Sequence, residues 1–180
     1  MLLLGCKPPG RHVEQHDVFF GIAASLNQLV PEINAFWPGP QKIHIDAWRE
    51  VNTVEGYTVS IIQKREGVQV DDSNKLFFIN LGGYLENRFE EQHYILLTVK
   101  PDKAGAFKAA KQTAFFKYNT TEGANSHIDD KYGIDVDDIY EIEDMLSPLQ
   151  KGLYRVGLSP ADGQQEDETH LGYLKLSILE

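Results

Sequence analysis

The sequence predicts an α+β fold made of two copies of one strand–strand–helix–strand unit, with mainly antiparallel sheet and a C-terminal hairpin. Three observations support this prediction. Short apolar and aromatic runs have the length of strands, two longer segments have helical spacing, and a set of residues recurs 77 positions later. The chain has 180 residues, which is enough to bury a hydrophobic core of its own.

Four short apolar runs are predicted to form the first strand pair of each unit. In the second unit they are residues 76–82 and 93–99, which are bounded by glycine and by a Lys-Pro pair. The corresponding runs of the first unit are 2–4 and 16–21. Further strands are predicted at 57–63, 138–142, 153–158 and 171–179.

A helix is predicted after each strand pair. The apolar residues from Ile22 to Trp37 keep helical spacing, and Pro31 should kink that helix because it lacks an N–H group and clashes with the preceding turn. In the second unit Asp102 is predicted to cap a helix that runs through Tyr118. Both helices would lie on the surface of a sheet.

The internal duplication rests on two matches. Six residues recur at a constant offset of 77, namely Leu4, Gly5, Arg11, Glu14, Gln15 and His16 against Leu81, Gly82, Arg88, Glu91, Gln92 and His93. Farther along, His44-Ile45-Asp46 matches His127-Ile128-Asp129 at an offset of 83, with longer loops in the second copy. The predicted parts of one compact unit are a first repeat at 1–65, a linker at 66–75, a second repeat at 76–146, and a C-terminal hairpin or partial third repeat at 147–180.

Five segments combine charged and aromatic residues in a distinctive order. They are Arg11–Phe20, Ala35–Pro38, His44–Glu50, Phe78–Gly83 and Ser126–Gly133. Together they resemble a bacterial family catalogued as domain of unknown function 1543, along nearly all of the chain up to about residue 145. The resemblance implies a bacterial source and one or two copies of the domain per chain. It implies no activity, so no catalytic residue is assigned.

Charge and composition exclude several classes of partner. With 27 acidic and 17 basic residues, the net charge is -10, and no cluster of basic residues offsets it, so neither nucleic acid nor an anionic membrane is an expected partner. No apolar run is long enough to span a bilayer, and Leu2–Leu4 is too short for a signal peptide. The single cysteine, Cys6, cannot form an internal disulfide and is predicted to be inert. A cytoplasmic location is therefore expected.

Two polar motifs are predicted to meet at one end of each sheet. A strand of about seven residues rises roughly 23 Å and a helix of about sixteen residues returns roughly 24 Å, so the two lengths nearly cancel. His16 should therefore lie within a direct or water-mediated hydrogen bond of His44 or Asp46, and the equivalent contact is expected in the second copy. The candidate ligand-binding residues are Arg11, Glu14, His16, His44 and Asp46 in the first copy, and Arg88, Glu91, His93, His127 and Asp129 in the second.

Such a set of residues has several chemical interpretations. Histidine beside carboxylate can act as an acid and a base, can bind a metal, or can complete an anion site built on arginine. The same pairs can also pin a loop to a sheet edge. Because both copies keep the set, a structural joint is favoured over a catalytic site, with ligand binding as the main alternative. No metal-binding motif is present, so neither a metal nor another cofactor is predicted.

The favoured function is a binding or interaction module without catalytic activity, which recognises a small molecule or a protein. The alternative is a hydrolase or isomerase, with or without a metal, that uses His93 or His127 as a base oriented by Asp129. No nucleophile motif supports that alternative. A purely scaffolding subunit is the third interpretation. The sequence predicts neither the ligand nor the oligomeric state.

Overall fold

The chain folds into short antiparallel strands and short helices. The computed structural model describes residues 1–37, 39, 42–65, 67, 71–83, 89–113, 134–161, 163, 165 and 167–179, with 134–137 described by their backbone alone. The strands are β1 (Leu2–Cys6), β2 (Gln15–Phe19), β3 (His44–Trp48), β4 (Thr53–Val54), β5 (Tyr57–Gln63), β6 (Lys75–Gly83), β7 (Gln92–Lys100), β8 (Ile134–Glu141), β9 (Tyr154–Pro160) and β10 (His170–Lys175). The helices are α1 (Val30–Phe36), α2 (Lys103–Ala110), α3 (Ile142–Met145) and α4 (Pro148–Leu153), with 3-10 turns at Leu26–Leu29 and Leu176–Ile178.

These strands form three sheets. The first has the order β10-β3-β1-β2, the second β7-β6-β8, and the third β4-β5-β9. Every pair within them is antiparallel. The predicted α+β class, with mainly antiparallel sheet, is therefore confirmed.

The first and second sheets pack face to face, and a helix covers the outer face of each. Phe20 and Phe78 meet edge to face between the two sheets, with ring centroids 5.8 Å apart, inside a buried apolar cluster. On the outer side of the first sheet, Ile33 of α1 is buried against β1 and β3. On the outer side of the second, Ala106 of α2 packs on β6. Alternate residues of β1 and β6 therefore face a helix or the opposite sheet.

The first strand pair of each sheet has the same register. Gly5 of β1 lies opposite His16 of β2, and Gly82 of β6 lies opposite His93 of β7. The bulge in the next pair also recurs at the same place, between Leu3 and Leu4 of β1 and 77 positions later in β6. The strand pairs that the sequence predicts at the start of each unit are confirmed.

The predicted last strand of the first unit was wrong in its pairing, whereas β8 does form the third strand of the second sheet. The third strand of the first sheet is β3, which contains the His44-Ile45-Asp46 motif, whereas residues 57–63 form β5 and pair with β9 in another sheet. His44 and Asp135 occupy equivalent positions opposite Gly5 and Gly82, so the third strands correspond at an offset of 91. The match of His44-Ile45-Asp46 to residues 127–129 at an offset of 83 therefore does not join structurally equivalent positions.

The predicted C-terminal hairpin is also wrong in its pairing, although both of its strands exist. β9 pairs with β5 and β10 pairs with β3, so the two strands lie in different sheets. Each of the two strands extends the edge of a different sheet, where backbone N–H and C=O groups would otherwise lack partners. This explains why β9 and β10 do not pair with each other.

Both predicted helices form, and both are shorter than predicted. Pro31 lies in the first turn of α1, after a 3-10 turn, and so starts the helix instead of kinking a longer one. Asp102 caps α2 as predicted, because its carboxylate accepts a hydrogen bond of 2.7 Å from the N–H of Gly105. α2 ends at Ala110, residues 111–113 are not helical, and the rest of the predicted helix, residues 114–118, lies outside the described residues.

Candidate functional site

The candidate site lies on three neighbouring strands of the first sheet. The register places Gly5 of β1 between His16 of β2 and His44 of β3. Asp46 is an extra residue in β3, because the paired positions on either side of it are consecutive residues of β1. His16 lies on the same face of β2 as Val18, which packs between the two sheets, so these side chains line the inner face of the first sheet.

Two imidazoles and two carboxylates alternate around this site, which we call the His–carboxylate cluster (Glu14, His16, His44 and Asp46). Nε2 of His16 lies 3.2 Å from Oδ2 of Asp46 and 4.0 Å from Oε2 of Glu14. Nε2 of His44 lies 3.3 Å from Oδ1 of Asp46 and 3.1 Å from Oε1 of Glu14. The predicted proximity of His16 to Asp46 is therefore confirmed, and each carboxylate spans both imidazoles.

His44 is the least accessible member of the cluster. Its side chain is only 3% exposed, whereas His16 and Glu14 are exposed and Asp46 is half-buried. Although carboxylate oxygens lie near Nε2, neither ring nitrogen of His44 makes a hydrogen bond with favourable geometry. Buried polar groups are normally hydrogen-bonded, so the ring nitrogens of His44 are open to a partner that the described chain does not supply.

Two residues that were not predicted as site residues hold His44 in place. The ring of Tyr173 in β10 lies tilted over the imidazole, with centroids 4.2 Å apart. On the other side, a Cβ atom on Gly5 would lie 2.4 Å from Nε2 of His44 and 2.8 Å from Oδ2 of Asp46. Only glycine therefore fits at position 5, and the match of Gly5 to Gly82 is the sequence feature that could have indicated this. No feature of the sequence indicated a role for Tyr173.

The cluster is rich in hydrogen-bond acceptors and lacks a cationic side chain. Arg11, which was predicted to complete it, is exposed and forms no ion pair within the described part of the chain. The ion-pair contacts of Glu14 and Asp46 among those residues are with the two imidazoles alone. The site is therefore suited to a ligand that brings both N–H donors and positive charge.

The donor atoms are not arranged for chelation. Within the described ranges, no group of three or more His, Cys, Asp or Glu side chains could hold a metal ion. Catalysis by the neighbouring thiol is also disfavoured, because burial, followed by the negative charge of Glu14, raises the pKa of Cys6, which is buried against α1.

The second predicted set is described only in part. Nε2 of His93 lies 3.6 Å from Oε2 of Glu91, a spacing like that of the first copy. Arg88, His127 and Asp129 lie outside the described residues. The backbone places Asp135 at the position equivalent to His44, and Asp137 at the extra position equivalent to Asp46.

Comparison with known proteins gives the fold and a family match, but no activity. Among the residues described, no helix is both long and apolar enough to cross a membrane. The structure is similar to the crystal structure of a protein Il1583 from Idiomarina loihiensis, with a TM-score of 0.61 and 21% sequence identity over 97% of this chain and 94% of that one. No functionally curated protein matches the chain. Residues 11–61, which include all five predicted site residues of the first copy, match the family model described as Domain of Unknown Function (DUF1543), in support of the resemblance predicted from the sequence.

Proposed function

We propose that this protein is a binding module without catalytic activity, and that the His–carboxylate cluster binds the ammonium group of a small molecule. One observation carries the proposal, namely the buried His44, whose two ring nitrogens lack a well-aligned partner and whose Nε2 faces two carboxylates. A structural joint would satisfy those nitrogens, whereas a binding site leaves them for its ligand.

The chemistry of the cluster selects this class of ligand. A primary ammonium carries three N–H donors and one positive charge, which match the oxygen atoms of the two carboxylates. His16 and Glu14 are exposed, so the ligand can reach the cluster from solvent, while His44 forms its floor. Because no cation of the described chain neutralises Glu14 and Asp46, the ligand would not have to displace one.

Titration with butylammonium chloride, followed by NMR of the imidazole protons, tests the proposal. We expect saturable shifts of the His16 and His44 resonances, and about tenfold weaker binding to the Glu14→Gln variant because one charged acceptor is lost. Glu168→Gln is the matched control, since Glu168 is exposed and outside the cluster. Excess EDTA should change neither the melting temperature nor the titration.

Two results would contradict this function. Equal weakening in the Glu14→Gln and Glu168→Gln variants would mean that the ligand responds only to the net charge of -10. The absence of any saturable shift at His16 and His44 in the wild type would rule out an ammonium site at the cluster.

We also propose that the chain contains two tandem copies of one unit, the first within residues 1–65 and the second within residues 76–146. Support comes from the shared strand order, from the Gly–His pairs in β1–β2 and β6–β7, and from the bulge that recurs 77 positions later. On this proposal the set around His93 is a second, diverged site, in which Asp135 takes the position of His44.

The family resemblance, the acidic composition and the single cysteine support a bacterial, cytoplasmic protein.

A further inference from the structure

A cavity of about 820 Å³ lies at the other end of the first sheet. Its wall includes Leu2 at the start of β1 and Trp48 at the end of β3, whereas the His–carboxylate cluster surrounds Gly5 near the end of β1. The cavity is thus separate from the cluster. Its volume falls within the range of about 300–1,000 Å³ that is typical of small-molecule sites in proteins.

The wall of the cavity is mainly apolar. Residues from all three sheets, from α3 and from the segments beside them contribute aliphatic side chains, among them Val51, Val59, Leu76, Ile142, Leu146 and Val156. An aliphatic chain that enters this space would exchange water for these side chains, and the hydrophobic effect favours the burial of each of its methylene groups. The apolar part of a ligand would therefore supply most of its affinity.

One cationic side chain gives the cavity polarity. Arg49 lies in its wall, is half-buried, and forms no ion pair with the residues that the structure describes. Its backbone is fixed, because its N–H donates a hydrogen bond of 3.0 Å to the carbonyl of Met1. The neighbouring Glu50 also lines the cavity but is exposed, so its charge is better screened by solvent. A guanidinium with no charge partner favours a carboxylate, which it can bind through two parallel hydrogen bonds.

We propose that this cavity binds an aliphatic monocarboxylate, with its chain among the apolar side chains and its carboxylate at Arg49. The site and its ligand class are distinct from the ammonium site of the cluster. The same chain would then bind a cationic group at one end of β1 and an amphiphilic anion at the other.

Isothermal titration calorimetry with decanoate and with 1-decanol tests the proposal. We expect decanoate to bind the wild type with a stoichiometry of one. Arg49→Gln should weaken decanoate about tenfold, because a charge-assisted hydrogen bond is lost, and should leave decanol unchanged. Glu50→Gln is the matched control beside it, and should bind decanoate at least as tightly as the wild type. Glu14→Gln should leave decanoate binding unchanged, which separates this site from the cluster.

Two cavity-filling variants show where the ligand binds. Val51→Trp should abolish binding of both molecules, and Val156→Phe, a smaller change, should weaken both if the first variant does not fold, with circular dichroism as the check on folding. The proposal is overturned if decanoate does not bind the wild type, if Arg49→Gln binds decanoate as tightly as the wild type, or if a folded cavity-filling variant still binds both molecules at full affinity.

Discussion

Replacement of Glu55 by alanine is expected to lower the free energy of unfolding by at least about 2 kcal/mol. The Glu55 carboxylate reaches across from the β4–β5 turn to the edge strand β7, where it accepts hydrogen bonds from the hydroxyl of Thr98 (2.9 Å) and the N–H of Val99 (3.1 Å). Thr98 is 0% exposed, so truncation leaves buried donors without partners, at a cost of about 1–3 kcal/mol each. Denaturation in guanidinium chloride measures the loss.

Two further substitutions at this position distinguish the contribution of the side-chain hydrogen bonds to stability from that of the backbone conformation. Glu55 has a φ of +48°, which is unfavourable for a residue with a side chain. Glu55→Gly should therefore be about 1 kcal/mol more stable than Glu55→Ala, and Glu55→Gln, which keeps one acceptor oxygen, should be the least destabilised of the three. If Glu55→Ala is as stable as the wild type, then Glu55 does not hold β7 to the β4–β5 turn.

Gly5→Ala is expected to lower the free energy of unfolding by about 1–3 kcal/mol. The new methyl group would lie 2.4 Å from Nε2 of His44, and that imidazole is confined by Tyr173 on its other side. Overpacking of a confined side chain forces it out of its preferred rotamer or shifts the backbone, at a cost of that size. Thermal and chemical denaturation both measure the change.

Gly152→Ala is the matched control for this substitution. Gly152 lies in helix α4, and a Cβ atom there would meet nothing within 4 Å. The free energy of unfolding of that variant should therefore rise by about 0.5–1 kcal/mol, because alanine has a higher helix propensity than glycine. Equal stability of Gly5→Ala and the wild type would mean that the contact between Gly5 and His44 is loose, and that the cluster is less closely packed than the structure indicates.

The sequence predicted the parts of the fold that depend on local pattern. The apolar runs of β6 and β7 are continuous and end at glycine or proline, so their position follows from composition alone. The offset of 77 carried register information, because a one-residue slip would have moved His16 and His93 to the other face of their sheets. The proximity of His16 and Asp46 was predicted correctly from strand and helix lengths, although β2 and α1 are both shorter than the lengths assumed.

What the sequence could not predict depends on contacts between distant elements. Residues 57–63 have the alternation of any half-buried strand, and only the open edge of β9 decides that they leave the first sheet. The burial of His44 depends on Tyr173, which reaches it only because β10 pairs with β3 and not with β9. Arg11 matches Arg88 at the offset of 77 and was predicted to join the cluster. It lies in a loop between strands, where a match at a constant offset does not predict the direction of a side chain.

The stability of His44→Leu, relative to Thr98→Val, tests most directly whether His44 is held for a ligand. Leucine keeps the apolar contact with Tyr173 and removes the two ring nitrogens that lack well-aligned partners, so the free energy of unfolding should equal or exceed that of the wild type. Thr98→Val removes a buried hydroxyl that is bonded to a carboxylate, and should cost about 1.5–3 kcal/mol. A loss of about 1–3 kcal/mol in His44→Leu as well would show that His44 is a hydrogen-bonded structural residue, and would contradict a binding role for the cluster.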